Sequence, residues 1–138
     1  MPGPFASVVD LWGLGPNHIF TVGSVNVFQY KGAAWSLMHK SPSSLNGVWA
    51  SGATNVFVVG KKGIIGRYNG TSWQASTSGT TEELNDIWGS GPSNVYAVGD
   101  KNTLLRFDGK AWSKEAVPAS TKNDLEGVWG SGATDIFA

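Results

Sequence analysis

Four tryptophan-headed segments align within the chain without a gap: WGLGPNHIFTVG from Trp12, WASGATNVFVVG from Trp49, WGSGPSNVYAVG from Trp88 and WGSGATDIFA from Trp129. The first three are followed by a second block, QYKGAAW ending at Trp35, RYNGTSW ending at Trp73 and RFDGKAW ending at Trp112. Successive leading tryptophans are 37, 39 and 41 residues apart, and nearly all of that variation falls after the second block. Self-similarity at such a period marks a repeat architecture, in which each unit must bury its apolar faces on its neighbours. What one unit looks like therefore decides the fold.

The third unit is the clearest. Leu84 to Trp88 reads as a first strand, and Gly89 to Ser93 as a turn cluster. Val95 to Val98 is a second strand, rich in β-branched and aromatic residues and bounded by Gly99. Asp100 to Asn102 turns the chain into a third strand over Thr103 to Phe107. Asp108-Gly109 is expected as a tight two-residue hairpin, because glycine accepts the positive φ such loops need. Trp112 then opens a fourth strand running to about Val117. No segment sustains a 3.6-residue apolar period, and the nearest helix-like stretch, Thr80 to Leu84, is too short. The chain is all-β.

Four strands every ~40 residues, with tight internal turns and a looser link between units, describe β-propeller blades of four antiparallel strands. A β-sandwich spaces its strands similarly, but it does not explain why the same Trp and Gly columns return with each unit. The expected organisation is a single partial propeller domain over 1–138, with repeats at about 8–44, 45–83 and 84–123 and a half-repeat at 124–138. The half-repeat is read as strands at Leu125 to Trp129 and Asp135 to Ala138. About three and a half blades cannot close a ring of the usual four to eight. The expectation is that other copies complete the ring, two copies supplying enough strands for seven blades, or that the chain is an excised or engineered fragment whose only activity is oligomeric assembly.

LNDIWGSGPSNVYAVGD followed by TLLRFDGKAW resembles a bacterial propeller-repeat family whose blades carry VWGSGPxDVYAVG and YDGxxW. The DG-x-x-W turn is similar to the Asp-box of sialidase-type propellers, one residue shorter between Asp and Gly. The resemblance covers the chain from Leu11 onward. It implies the fold and leaves activity open, since propellers host lectins, enzymes and docking scaffolds alike. The box column here, Lys31, Asn69 and Asp108, does not keep one charge, which weakens any chemical role for it.

Ten Lys/Arg balance ten Asp/Glu. That argues against nucleic acid or an anionic membrane as a partner, both of which call for a basic excess. Without cysteine there is neither a disulfide scaffold nor a thiolate metal site. Apolar runs are far shorter than the ~20 residues of a membrane helix. Met1-Pro2-Gly3-Pro4 does not open a signal peptide. Low charge with abundant Gly, Ser, Thr and Asn leans toward an extracellular or cell-surface setting.

The search for chemistry yields no enzyme. Arg67 and Arg106 share one repeat position with Gln29; a sialidase-like site wants three converging arginines and the chain has two. His18 and His39 fall at unlike positions, and His18 shares its column with Asn55, Asn94 and Asp135, residues expected in the turn before strand two. Asp86 shares a column with Asp10, Gly47 and Gly127, and no carboxylate pair of the kind glycosidases use stands out. The GSG strings lack both the GK[ST] ending and the helix of a phosphate loop. Neither a catalytic set, a cofactor nor a metal site is expected. What remains are the tryptophans and arginines. Trp35, Trp73 and Trp112 could fill the space between blades or stack on sugars, and Arg67 and Arg106 could clamp an anion. The function read from the sequence is thus a non-catalytic, self-associating binding module for a lectin-like glycan ligand or a protein ligand.

Overall fold

The computed structural model describes residues 7–118 and 123–138. The Met1 to Pro4 start and the centre of the connector before the half-repeat lie outside the described residues. Three four-stranded antiparallel sheets follow one another, each with its strands in chain order. The first holds β1 (Asp10–Gly15), β2 (His18–Gly23), β3 (Asn26–Tyr30) and β4 (Trp35–Lys40). The second holds β5 (Leu45–Gly52), β6 (Asn55–Gly60), β7 (Ile65–Tyr68) and β8 (Trp73–Ser76). The third holds β9 (Leu84–Gly91), β10 (Asn94–Gly99), β11 (Thr103–Phe107) and β12 (Trp112–Lys114). A fourth sheet pairs only β13 (Trp129–Gly132) with β14 (Asp135–Phe137). These are propeller blades.

Local geometry departs from the sequence reading in four places. The glycine-rich string after each leading Trp is strand rather than turn. β9 runs on to Gly91, with a bulge between Gly89 and Gly91, and β1, β5 and β13 carry the same irregularity. Only two residues then turn the chain, Pro92-Ser93 in the third sheet, with negative φ at both. A bulge adds right-handed twist, which lets a two-residue loop close without the mirrored turn types. The loop at Asp108 spans four residues, Asp108 to Ala111. Its Asp108 Oδ1 accepts from the backbone N–H groups of Lys110 and Ala111, and Gly109 takes φ 98°. Asn69 caps the equivalent loop in the same way, toward Thr71 and Ser72, whereas Lys31 cannot. β12 stops at Lys114, short of Val117, and in the half-repeat only Trp129 of the Leu125–Trp129 stretch is strand. The single helical feature among the described residues is a 3-10 turn at Lys61–Gly63.

Packing follows from strand alternation. One core fills the space between the first two sheets, with Phe20, Val22, Val48, Ala50, Val56 and Val58 buried. A second fills the space between sheets two and three, with Trp49, Phe57, Ile65, Val95, Ala97 and Leu105 buried. The leading Trp of each of the first three sheets lies on the small residue that follows the leading Trp of the next sheet. A Cβ at Gly89 would sit 2.7 Å from the Trp49 ring, and one at Gly130 would sit 2.7 Å from Trp88. Ala50 holds the same position opposite Trp12, whose ring centroid is 6.2 Å from that of Trp49.

Polar side chains tie the first strands together. Asn46 Nδ2 donates to Leu84 O and Asn85 Nδ2 to Leu125 O, each at the next sheet. In the opposite sense, Asp10 Oδ2 accepts from Val48 N and Asp86 Oδ2 from Val128 N. Such bonds to a charged acceptor each contribute about 1.5–3 kcal/mol.

The glycine closing each second strand is fixed by close backbone approach. A Cβ at Gly60 would fall on the carbonyl oxygen of Ser44, and one at Gly99 on that of Glu83. At Gly52, in β5, a Cβ would meet nothing within 4 Å. Gly60→Ala is therefore expected to destabilise the chain by about 1–3 kcal/mol or more, and Gly52→Ala by no more than about 0.5 kcal/mol. Urea unfolding of the two variants measures the difference.

Candidate functional site

The arginine column is built by cross-strand pairing. Arg67 on β7 lies opposite Phe57 on β6, and Arg106 on β11 opposite Tyr96 on β10, so each shares a sheet face with an aromatic ring. Arg67 Nε donates to Asn55 Oδ1 at 3.0 Å, and Arg106 Nε to Asn94 Oδ1 at 3.0 Å. Asn55 and Asn94 in turn donate to Ser51 and Ser90, the serines of the bulges. In the first sheet the same place holds Gln29 and His18, whose side-chain nitrogens are 2.6 Å apart. The His18 column is therefore the first residue of a strand. His18, Asn55 and Asn94 hold the side chain across the strand pair, and Asp135 accepts from Ser131 instead, where the sequence predicts turn residues bonding nearby backbone.

The two arginines diverge beyond that point. The Arg67 guanidinium lies 5.2 Å from the centroids of both Phe57 and Phe107, Phe107 coming from the third strand of the next sheet. Arg106 has one ring, Tyr96, at 5.9 Å. Cation–π contacts contribute about 0.5–1 kcal/mol when exposed and ~2 kcal/mol or more when desolvated. Half-buried Arg67 is therefore positioned more firmly than exposed Arg106.

Arg67 lines a groove of about 340 Å³ between the second and third sheets. Gln74 and Ser76 of β8 form one wall, and Phe107, Lys110 and Trp112 the other. Two cations and no carboxylate line it. With Nε engaged by Asn55, the Nη nitrogens of Arg67 remain as donors. β8 is the edge of its sheet, so every second residue turns its backbone N–H and C=O outward. Of the residues proposed from sequence, Arg67 and Trp112 meet here. Trp35, Trp73 and Arg106 belong to other faces. Gln74 and Lys110 had no sequence signal, since neither recurs in its column.

The strand-four tryptophans pack on protein. Each lies tilted against an aromatic of its own sheet, Trp35 on Tyr30, Trp73 on Tyr68 and Trp112 on Phe107, with centroids 5.3–5.5 Å apart. Trp73 also stacks on His39 of the preceding sheet at 4.8 Å, and Trp112 meets Phe57 of the preceding sheet edge-on at 5.7 Å. The indole nitrogens of Trp73 and Trp112 are buried without a hydrogen-bond partner. Burial also pushes the His39 imidazole below its ordinary pKa.

A second concavity, of about 370 Å³, lies beside the first strands and gathers Asp10, Asn46, Glu83, Asn85, Asp86 and Glu126. Sequence spacing did not mark Asp10 and Asp86 as a pair; the fold brings them near enough for the Asp86 charge to act on Asp10. Both carboxyls are pushed above the ordinary carboxylate value, chiefly by burial. Both also hold backbone N–H groups of the next sheet, which is a structural task. Among the described residues no group of three or more His, Asp or Glu side chains is placed to hold a metal ion, and no helix is long and apolar enough to cross a membrane.

No protein-family model matches the chain, and no curated protein sequence matches it. Solved structures do. The chain is similar to YCF48 from Cyanidioschyzon merolae, with a TM-score of 0.74 and 15% identity, over 95% of this chain and 47% of that one. It is also similar to YCF48 bound to a D1 peptide, with a TM-score of 0.66 and 18% identity, over 83% of this chain and 42% of that one. The match is one of fold, and the chain spans less than half the length of either structure.

Raised carboxyl pKa values carry a sign. Between the ordinary aspartate value of ~3.9 and the higher folded value, the folded state binds more protons than the unfolded one. Stability owed to Asp10 and Asp86 therefore falls as pH rises through that window. Asp108, lowered by its bonds from Ala111 and Lys110, acts oppositely: its contribution is present above the ordinary value and lost as pH falls through the folded one. Asp10→Asn is expected to lose less stability than the parent chain between about pH 4 and pH 7. Urea midpoints across that range measure the slope.

Proposed function

We propose that the chain is a non-catalytic propeller interaction module whose groove between the second and third sheets holds an extended, acidic segment of a protein partner. The observation that carries this is Arg67, clamped between Phe57 and Phe107 and tethered by Asn55 through Nε only, in a groove it shares with Lys110 and no carboxylate. Such a guanidinium is pre-organised for a bidentate carboxylate. The outward backbone of β8 offers an extended peptide a strand to pair with, the mode known as β-augmentation. Trp112 and Gln74 are the contacts beside the pair, and Arg106 is the same device in a more open setting. That one similar structure is of YCF48 holding a D1 peptide supports a peptide ligand.

Sugar stacking by Trp35, Trp73 and Trp112 is the lesser reading, because Trp73 and Trp112 already pack against rings of two sheets. The reading includes self-association and membership of the bacterial repeat family with WGSGPxxVYAVG and YDGxxW blades. No chemical step is assigned to any residue.

Fluorescence anisotropy with acidic, neutral and basic extended peptides, beside a glycan array, tests this. Acidic peptides are expected to bind best, and Arg67→Ala to weaken them by about tenfold or more, the equivalent of losing a charged hydrogen bond of ~1.5–3 kcal/mol. Equal binding of all three peptide classes, or glycan binding that ignores Arg67, would overturn the assignment.

A further inference from the structure

The fourth strands, β4, β8 and β12, are each an edge of their sheet. Sheet edges are commonly guarded against strand addition by charge, proline or a bulge. β4 is bulged, since Val27 pairs with His39 and Phe28 with Leu37, which leaves Met38 extra, and it ends on Lys40. β12 ends on Lys114 and runs into Glu115, with Pro118 close behind. β8 carries none of these devices. Its residues Trp73, Gln74, Ala75 and Ser76 pair with β7 without a break in register, and neither a charged residue nor a proline occurs between Arg67 and Glu82.

The groove beside β8 also differs from its counterpart one junction earlier. There Met38 packs on the core between the first two sheets, and His39 stacks on Trp73. Aligned on the strand-four tryptophans, Ser76 and Thr77 stand where the first sheet has Met38 and His39. With those smaller side chains the space stays open between β8 and the wall of Phe107, Lys110 and Trp112. The ladder fixes which residues of β8 face outward. Asn69 N donates to Ser72 O, and bonded and non-bonded pairs alternate along an antiparallel ladder. Arg67 with Gln74 and Ile65 with Ser76 are then bonded pairs, and Trp73 and Ala75 turn their N–H and C=O away from β7. The third sheet keeps the same phase, with Asp108 N donating to Ala111 O and Glu115 N to Leu104 O.

We propose that the partner segment adds to β8 as a fifth, antiparallel strand in one register, bonded to the N–H and C=O of Ala75, with acidic residues on both sides of the bonded residue. This rests on the acidic-peptide reading and specifies the sequence pattern that the site accepts. The two flanking residues lie beside Gln74 and Ser76 and share their face, which is that of Arg67. Acidic side chains spaced i and i+2 therefore both turn toward the groove lined by Arg67 and Lys110. The residue between them turns to the opposite face, beside Ala75. Two adjacent acidic residues would send one carboxylate to each face and only one to the cations. Among the described residues, an unguarded edge beside an open cationic groove occurs once, so one segment binds per chain although the repeat recurs.

Titration calorimetry and amide hydrogen exchange read by NMR on the 138-residue chain test this. The probes are extended peptides of equal charge, one containing Glu-Val-Glu and the other Val-Glu-Glu. The alternating peptide is expected to bind one per chain and about tenfold tighter than the adjacent one. It should slow exchange at the Ala75 amide and leave that of Gln74, already bonded within the sheet, little changed. Methylating the backbone nitrogen of the valine in Glu-Val-Glu keeps every charge and is expected to cost about tenfold in affinity. Ala75→Pro removes an amide that makes no bond within the sheet, so it should keep the circular dichroism spectrum and weaken the peptide similarly. The methylated peptide reads the same bond without altering the chain. Equal affinity for the two spacings, no loss on methylation, or two or more segments per chain would overturn this register and leave the acidic-peptide reading in place. Loss of all preference for acidic peptides would overturn both.

Discussion

An apolar sheet face must be covered, and between the first three sheets the covering piece is the neighbouring repeat. A tryptophan on one sheet and a glycine or alanine on the next set how closely two sheets approach. The large ring fills the gap that two flat sheets would otherwise leave, and the missing side chain makes room for it. Close-packed interiors tolerate neither a void nor an extra methyl at such a point. The Asn and Asp bonds between first strands then fix the sliding register that apolar packing alone leaves loose.

That geometry also makes the groove. Arg67 is an ordinary cross-strand neighbour of Phe57 until the third sheet brings Phe107 over its other side. Junction spacing, set by Trp49 on Gly89, turns a surface arginine into a clamped one. Arg106 has equivalent partners within its own sheet, Asn94 and Tyr96, and no ring on its other side among the described residues. One sequence column thus yields two environments, and the difference lies in the neighbour.

Much of this was legible in the sequence. The Trp and Gly columns announce the repeat, and the strand-three segment Thr103–Phe107 is read to the residue because a short, mostly apolar run is bounded by polar turns on both sides. The glycine-rich strings read as turns but form strands, because a β-bulge keeps the backbone extended while using residues that elsewhere break strands. The Asp108 loop is two residues longer than the hairpin the sequence predicts, since an aspartate cap holding two amides is not visible in a Gly-centred turn rule. Asp10 and Asp86, 76 positions apart, and the pairing of Arg67 with Lys110 depend on distances between sheets, which a repeat pattern does not encode. The alternation of Asp and Gly in one column was visible as letters, but its meaning required knowing which amide each carboxylate holds.

If the Trp-on-Gly contact sets the spacing between sheets, a double-mutant cycle on Trp49 and Gly89 will show the two positions coupled. Trp49→Phe, Gly89→Ala and the pair are compared by urea unfolding. If the added methyl is costly because it strikes the indole, the smaller ring should relieve it. The penalty of Gly89→Ala should then shrink in the Phe background, with a coupling of about 1 kcal/mol or more, within the range found for residues in contact. Penalties that add to within about 0.3 kcal/mol, as for distant independent sites, would contradict the account.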